Sequence, residues 1–334
     1  MPEYGDLEER IDKGETIILD GAVGTQLQAM DVPNDPYCWA AIANHTHPYT
    51  VRKMHEEYVE AGADIITTNT YSAARHNYEP AGLADMVYEL NLRAVVLAQE
   101  ARERAAKKTV YIAGSISNFG AWTEEIYDRW TKTGSLKGRN TDFGMRMHGV
   151  MTEQQIRRNL DEQVRILVEA GVDFLIAEPT GELQQRKLVF EAAAASGLPF
   201  WAGYKCHLDE RTQTVLSSYE SNMPLAEELE ILLPLGGDVV SIFHSDMDDT
   251  TRALPVVKSK WQGPICVYPE AGRRDYVYGL ADPKETNKHT IEQWLAFARR
   301  WKAEGVRVIG GCCGIGVEYI RALQEIDYGN PDGN

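Results

Sequence analysis

The sequence predicts an α/β protein, a TIM-type (β/α)8 barrel organised as one domain over residues 1–334, with a single long loop after the third strand. Three observations carry this expectation. A phrase recurs, EAGAD at 60–64, EAGVD at 169–173 and AEGVR at 303–307, each closing a helical pattern on a glycine and opening an apolar run. Short runs rich in Val, Ile, Phe and Tyr alternate with helical periods and lack the polar alternation of half-solvated strands, as parallel strands covered on both faces should. Almost every run ends on a polar or reactive residue, and the C-terminal strand ends are where such barrels carry chemistry.

The first strand lies in TIILDG (16–21) and ends at Asp20. Val51, Met54 and Tyr58 give the next helix its buried face and lead to DIITTN (64–69), which ends at Asn69. Val87, Leu90, Ala94 and Leu97 do the same before TVYIAGS (109–115), which ends at Ser115. The stretch 116–151 is too long for an idle connection and is expected to form a lid or a wall of the site. Ile156, Leu160, Val164 and Leu167 mark the helix before DFLIAE (173–178), which ends at Glu178. The runs PFWAGYK (199–205), DVVSIFH (238–244) and PICVYPE (264–270) end at Lys205, His244 and Glu270. A helix carrying Ile291, Trp294, Leu295 and Ala298 precedes the eighth strand, RVIGGCC (307–313), which ends on Cys312 and Cys313.

A net charge of -16 argues against nucleic-acid or anionic-membrane surfaces, which need a basic face, so small-molecule ligands are expected. Five cysteines, an odd number without framework spacing, fit free thiols in a reducing compartment. The start is polar and acidic, unlike a signal peptide, and no apolar run approaches a membrane span. The expected location is the cytoplasm, and a homo-oligomer is compatible with this composition. No Walker or Rossmann glycine pattern occurs.

Cys312 and Cys313 can hardly close a disulfide with each other across one planar peptide bond. Two thiols on consecutive residues at a strand end can both turn toward one ion where the backbone bends, and the preceding Gly310–Gly311 pair permits a bend. His244, ending the sixth barrel strand, faces the same mouth and is the expected third ligand, with Asp246 as the substitute. Imidazole with two thiolates suits zinc, and three protein ligands leave one position open, the pattern of a catalytic site. Cys38 and Cys266 are read as buried small residues, as is Cys206 despite its neighbour His207.

The motifs ILDGAVGTQL (18–27), HEEYVEAGADIITTNTY (55–71), GSI (114–116), GVDFLIAEPT (171–180), VYPEAG (267–272) and GGCCGI (310–315) together resemble, in order and spacing, the homocysteine S-methyltransferase family. The resemblance spans nearly the whole chain. It implies a TIM barrel whose zinc is held by three cysteines, two of them in GGCC, so Cys312 and Cys313 carry over directly. It implies that Asp20 and Glu178 hold the amino group of an amino-acid acceptor. Gly21, Asn69, Tyr71 and Glu270, at or near the same strand ends, are expected to complete the substrate-binding set. The expected activity is methyl transfer from a small sulfonium or quaternary ammonium donor to a thiol, homocysteine being the usual acceptor, as in methionine biosynthesis. The chain ends soon after the eighth strand and its helix, so folate and cobalamin modules are not expected.

The chain also departs from the pattern. Phe243 and His244 stand where the family has Asn and Cys, Glu270 stands where an amide is expected, and DGGMGT has become DGAVGT. Imidazole in place of a thiolate makes the site one unit more positive. That change keeps open a zinc-dependent hydrolase or lyase, with a metal-bound water deprotonated by Glu178 or Glu270, and a barrel that binds its ligand without turnover. Trp122, Tyr127 and Trp130 of the long loop, with Tyr71, either pack that loop on the barrel or present ring faces to a methylated cation.

Overall fold

Strands buried on both faces must sort their side chains by alternation, one set to the barrel interior and the next to the helices. The computed structural model, which describes residues 2–125, 150–218, 221–271 and 289–326, shows this sorting. Ile17, Phe174 and Val308 belong to an inner cluster, whereas their neighbours Ile18, Leu175 and Ile309 pack outward into the layer shared with the helices. The absence of polar alternation in these runs therefore has a direct cause.

In chain order the strands are β1 (Ile17–Ile18), β2 (Ile65–Thr67), β3 (Tyr111–Ile116), β4 (Phe174–Ala177) and β5 (Phe200–Tyr204). A short antiparallel excursion follows, β6 (His207–Asp209), β7 (Thr214–Ser218) and β8 (Ser221–Pro224), before β9 (Val239–Asp246), β10 (Ile265–Glu270) and β11 (Val308–Ile309). The eight barrel strands form one parallel sheet in the order β1-β11-β10-β9-β5-β4-β3-β2. A parallel bridge between Leu19 and Ile65 joins its two ends. All eight strands read from the sequence are thus strands of the barrel. The excursion β6–β8 was not foreseen; its turn is marked by Asp209, whose Oδ1 accepts the backbone N–H groups of Arg211 and Thr212.

The recurring helix-to-strand phrase works as its glycines suggest. Gly62, Gly171 and Gly305 have φ of 98°, 83° and 90°, a left-handed conformation that glycine adopts without steric cost as the chain leaves a helix. The foreseen helices run Pro48–Glu60, Val87–Ala105, Glu153–Ala170 and Ile291–Ala303, and the named apolar positions are buried with one exception. Ile291 opens its helix and is 38% exposed, so the inward stripe begins at Trp294. No helix among the described residues is long and apolar enough to cross a membrane. Of the expected lid, residues 126–149 lie outside the described residues, and Tyr127 and Trp130 with them. Trp122 pairs with Val150 in a short parallel bridge and accepts the Met151 N–H at 2.7 Å.

The other end of the barrel is closed by a helix that the sequence reading passed over, Tyr4–Asp12. Its Leu7 and Ile11, one helical turn apart, join the inner cluster. Trp201 Nε1 donates to Tyr4 Oη at 2.9 Å, and the Phe174 and Trp201 rings meet at 4.7 Å above that contact. Asp64 ties the helix down, taking Arg10 at 2.9 Å while also accepting Lys108 and the Ile18 N–H. The barrel is therefore sealed opposite its reactive mouth. Leu7→Ala is expected to destabilise the fold by about 2–5 kcal/mol, because a fully buried side chain leaves a cavity there. Urea denaturation checks this, with the midpoint falling and the slope unchanged.

Candidate functional site

The C-terminal mouth is built where the chain after β11 crosses between the ends of β1 and β10. Gly311 N donates to Asp20 O at 2.9 Å and Cys312 N donates to Pro269 O at 2.8 Å. Ala271 N returns a bond to Cys313 O at 2.9 Å, and Gly314 N reaches Thr25 Oγ1 at 3.0 Å. The two cysteines are thus laced on both sides before any side-chain contact is made. The glycines ahead of them serve this crossing by their lack of a side chain. A Cβ on Gly311 would lie 2.1 Å from Ile315 Cγ2, and one on Gly310 would lie 2.8 Å from Asp20 O. The pair gives close approach, and neither glycine takes the left-handed conformation that the expected bend would use.

The third member comes from β9 by an irregularity. Phe243 pairs with Tyr268 and Asp246 with Glu270, so His244 and Ser245 together oppose Pro269 alone. This is a β-bulge, and proline, which offers no N–H to a ladder, is at home opposite one. His244 has φ of 46°, a left-handed conformation that costs a non-glycine residue about 1–3 kcal/mol and is kept only where surroundings over-determine it. The bulge re-aims the imidazole. Nδ1 of His244 lies 3.8 Å from Cys312 Sγ and 3.9 Å from Cys313 Sγ, and the two sulfurs are 3.9 Å apart.

Tetrahedral zinc, with bonds of about 2.3 Å to sulfur and about 2.0 Å to nitrogen, spaces its ligand atoms by about 3.5–3.8 Å. The residues fit such an ion closely, and among the described residues this is the group of His, Cys, Asp and Glu side chains that can hold one. Asp246, the substitute ligand, is instead the N-cap of the helix Met247–Lys260, its Oδ1 accepting the Asp248 N–H at 3.0 Å. Cys313 beside it and then burial hold the Cys312 thiol well above its usual range, against the pull of His244. Burial alone would lower the His244 pKa, but the Glu270 carboxylate, 3.2 Å from Nδ1, and Cys312 raise it above its ordinary value. Cys38, Cys206 and Cys266 are buried free thiols, as read.

Beside the triangle lies a pocket of about 730 Å³ including its open mouth. Asp20, Gly21, Asn69, Tyr71 and Glu178 all line it, together with Ser115 and both cysteines. Asp20 accepts the Thr67 N–H at 2.7 Å and the Thr67 hydroxyl at 2.9 Å. Burial nevertheless holds its carboxyl well above the usual range, with Glu178 adding to the rise. Glu178 accepts from Ser115 Oγ, and burial pushes it up to about 7 against the hydroxyls of Ser115 and Tyr268. Asn69 spends its amide N–H groups on Ala40 O and Asn44 Oδ1, at 2.9 and 3.1 Å, which leaves its oxygen for a ligand. Glu270 is not in the pocket wall; its contact is with His244.

The sequence reading missed Trp39, which lines the pocket from a backbone with φ of 43°. Its ring meets Tyr71 edge-on at 6.1 Å, and Phe119 packs 5.5 Å from Tyr71. Trp39 sits in YCWAAI, far from any motif, and only the fold brings it to the mouth. Trp122, read as packing the loop on the barrel or else as a ring face for a cation, is not in the wall. Gly311→Ala is expected to cost about 1–3 kcal/mol by overpacking against Ile315. A lowered denaturation midpoint in the metal-free protein is the check.

Comparison with known proteins agrees with this architecture. Residues 17–326 match the homocysteine S-methyltransferase family. Homocysteine S-methyltransferase 1 of Arabidopsis thaliana is 27% identical, with 95% of each chain covered. A selenocysteine methyltransferase of Astragalus bisulcatus is 24% identical over 94% of this chain and 93% of its own. The crystal structure of the homocysteine methyltransferase MmuM from Escherichia coli, in its metallated form, superposes with a TM-score of 0.70 at 23% identity, covering 96% of this chain and 99% of that one. A match that runs from β1 to the last described helix makes the assignment: the chain belongs to the homocysteine S-methyltransferase family.

Proposed function

We propose that this chain moves a methyl group from a small sulfonium or quaternary ammonium donor to the thiol of an amino acid, homocysteine first among them, at a zinc site held by His244, Cys312 and Cys313. The observation that carries this reading is the triangle of Nδ1 and two sulfurs with edges of 3.8–3.9 Å, opening on the pocket that Asp20 and Glu178 line. Zinc held there would lower the pKa of an incoming thiol so that its proton passes to solvent, leaving the thiolate, the nucleophilic form.

The chain's own residues would do the rest. The described pocket wall holds two buried carboxyl groups and neither lysine nor arginine, a poor arrangement unless the ligand itself brings a positive charge. The ammonium group of an amino acid supplies it, binding between Asp20 and Glu178. Asn69 offers its oxygen to the same group. Tyr71 and Trp39 contribute aromatic rings to the pocket lining, and such rings attract an onium methyl group. Phe243 and Tyr268, stacked at 5.7 Å, add two more rings to the pocket lining. Transfer from an onium donor to a thiolate cancels both charges, so a water-poor site favours it. The relative named for selenocysteine makes a selenol the second acceptor to try.

Protein purified without chelator is expected to hold about one zinc per chain. It should demethylate onium donors only when a thiol is added. His244→Ala and Cys312→Ser should each lower this rate by about 100-fold or more, together with the zinc content. Turnover of donor without any thiol would overturn the reading in favour of hydrolysis at a metal-bound water.

The pH dependence tests the carboxylate roles. Glu178 is neutral below about 7 and anionic above it, and only the anion pairs with an ammonium group. Affinity for the thioether product, which has no thiol to titrate, should therefore rise about tenfold per unit as pH approaches 7 from below, then level off. Glu178→Gln should bind more weakly and remove that slope, which calorimetric titration at several pH values would show.

A further inference from the structure

The bulge that aims His244 needs something to hold it. A left-handed histidine in the middle of β9 is not a conformation the strand would keep unaided, and the ladder to β10 is interrupted at that point by Pro269. The residue that follows supplies the restraint. Ser245 is fully buried, and its hydroxyl donates to Phe243 O at 2.9 Å, spanning His244 from one side to the other. The same oxygen accepts the backbone N–H of Cys206 at 2.8 Å, which fixes the bulge to the end of β5. Both bonds are short and neither meets solvent. Cys206 is itself buried, so its N–H has no water to turn to when that hydroxyl is removed.

We propose that Ser245 is the positioning residue of the metal triangle, its hydroxyl clamping the β-bulge that turns His244 Nδ1 toward the sulfurs of Cys312 and Cys313. The inference rests on the metal-binding reading above and deepens it. Cys312 and Cys313 reach their places through backbone bonds to Pro269 of β10 and to Ala271 just after it, along the edge that faces β11. The imidazole arrives by the bulge, from β9. Loss of the clamp should therefore move the nitrogen while leaving both sulfurs where they are. An isolated thiol pair binds a divalent ion far less tightly than two thiols with a nitrogen in register, and contacts that orient a ligand are commonly worth 10–100-fold in metal affinity.

The test uses the full chain and Co2+ as the probe, its thiolate charge-transfer and visible bands reporting coordination and chelator competition giving the dissociation constant. Ser245→Ala should weaken Co2+ binding at least about tenfold and change the visible bands, with the thiolate bands retained. In a His244→Ala background, Ser245→Ala should cost nothing further, because no imidazole remains to be aimed. Ser245→Thr, which keeps the hydroxyl, should bind as the parent does. It also decides the matter if the alanine protein does not fold: retained affinity supports the clamp, and a loss as large as that of His244→Ala overturns it. Unchanged affinity and bands in folded Ser245→Ala, or an equal loss with and without His244, would sink the clamp and leave the metal site standing. A parent protein that binds no Co2+ at all would instead overturn the metal reading itself.

Discussion

The mouth of this barrel depends on one crossing of the backbone. The segment from Gly310 to Ile315 passes between the ends of β1 and β10, held by Gly311 N to Asp20 O and Cys312 N to Pro269 O. Those two bonds place a carboxylate and a thiol on opposite sides of the same few ångströms of chain. The two thiols take their places beside Asp20 from there, and the crossing is close because a Cβ at either glycine would meet Leu19, Asp20 or Ile315 at less than contact distance. Barrel closure makes the crossing possible. β11 lies between β1 and β10, so the ends of the first and last strands are neighbours in space although they are separated by almost the whole chain.

A second constraint is electrical. Two buried acids share a pocket with two thiols, and the one basic side chain among its described lining residues is a histidine. Burial raises both carboxyl groups, and Cys313 and then burial raise Cys312, so the surroundings work against negative charge at all three. Such a site gains most from a ligand that brings positive charge at two places, beside the carboxyl groups and between the sulfurs. The proposed reading supplies an ammonium group for the first and a divalent ion for the second. Folding this chain thus concentrates acid and thiol chemistry at one end of the barrel, while the other end is sealed by Leu7, Ile11 and the Tyr4–Trp201 contact.

Much of this was legible beforehand. The eight strands could be read because each is an apolar run of the length a parallel strand needs, bounded by a glycine C-cap or a polar end. Cys312 and Cys313 could be read because adjacent thiols have few structural uses, and Asp20 and Glu178 because they close such runs within motifs that resemble the family's. The helix Tyr4–Asp12 was missed because two apolar residues among charges are a weak periodic signal until a barrel floor exists to receive them. The excursion β6–β8 was missed because its strands are short and polar, and Trp39 because it belongs to no motif.

By itself, then, the sequence determined the fold class, the order of strands and the chemical kinds of residue at their ends, since these follow from local periodicity and composition. The tertiary structure alone decided which ends meet and in what orientation. His244 reaches the thiols through a bulge whose existence depends on Pro269 in another strand and Ser245 pinned to a third. Glu270 turned out to face His244 and not the pocket for a similar reason, the register that the bulge imposes on β9 and β10. Such register and side-chain direction are settled by contacts between strands far apart along the chain, and no local pattern encodes them.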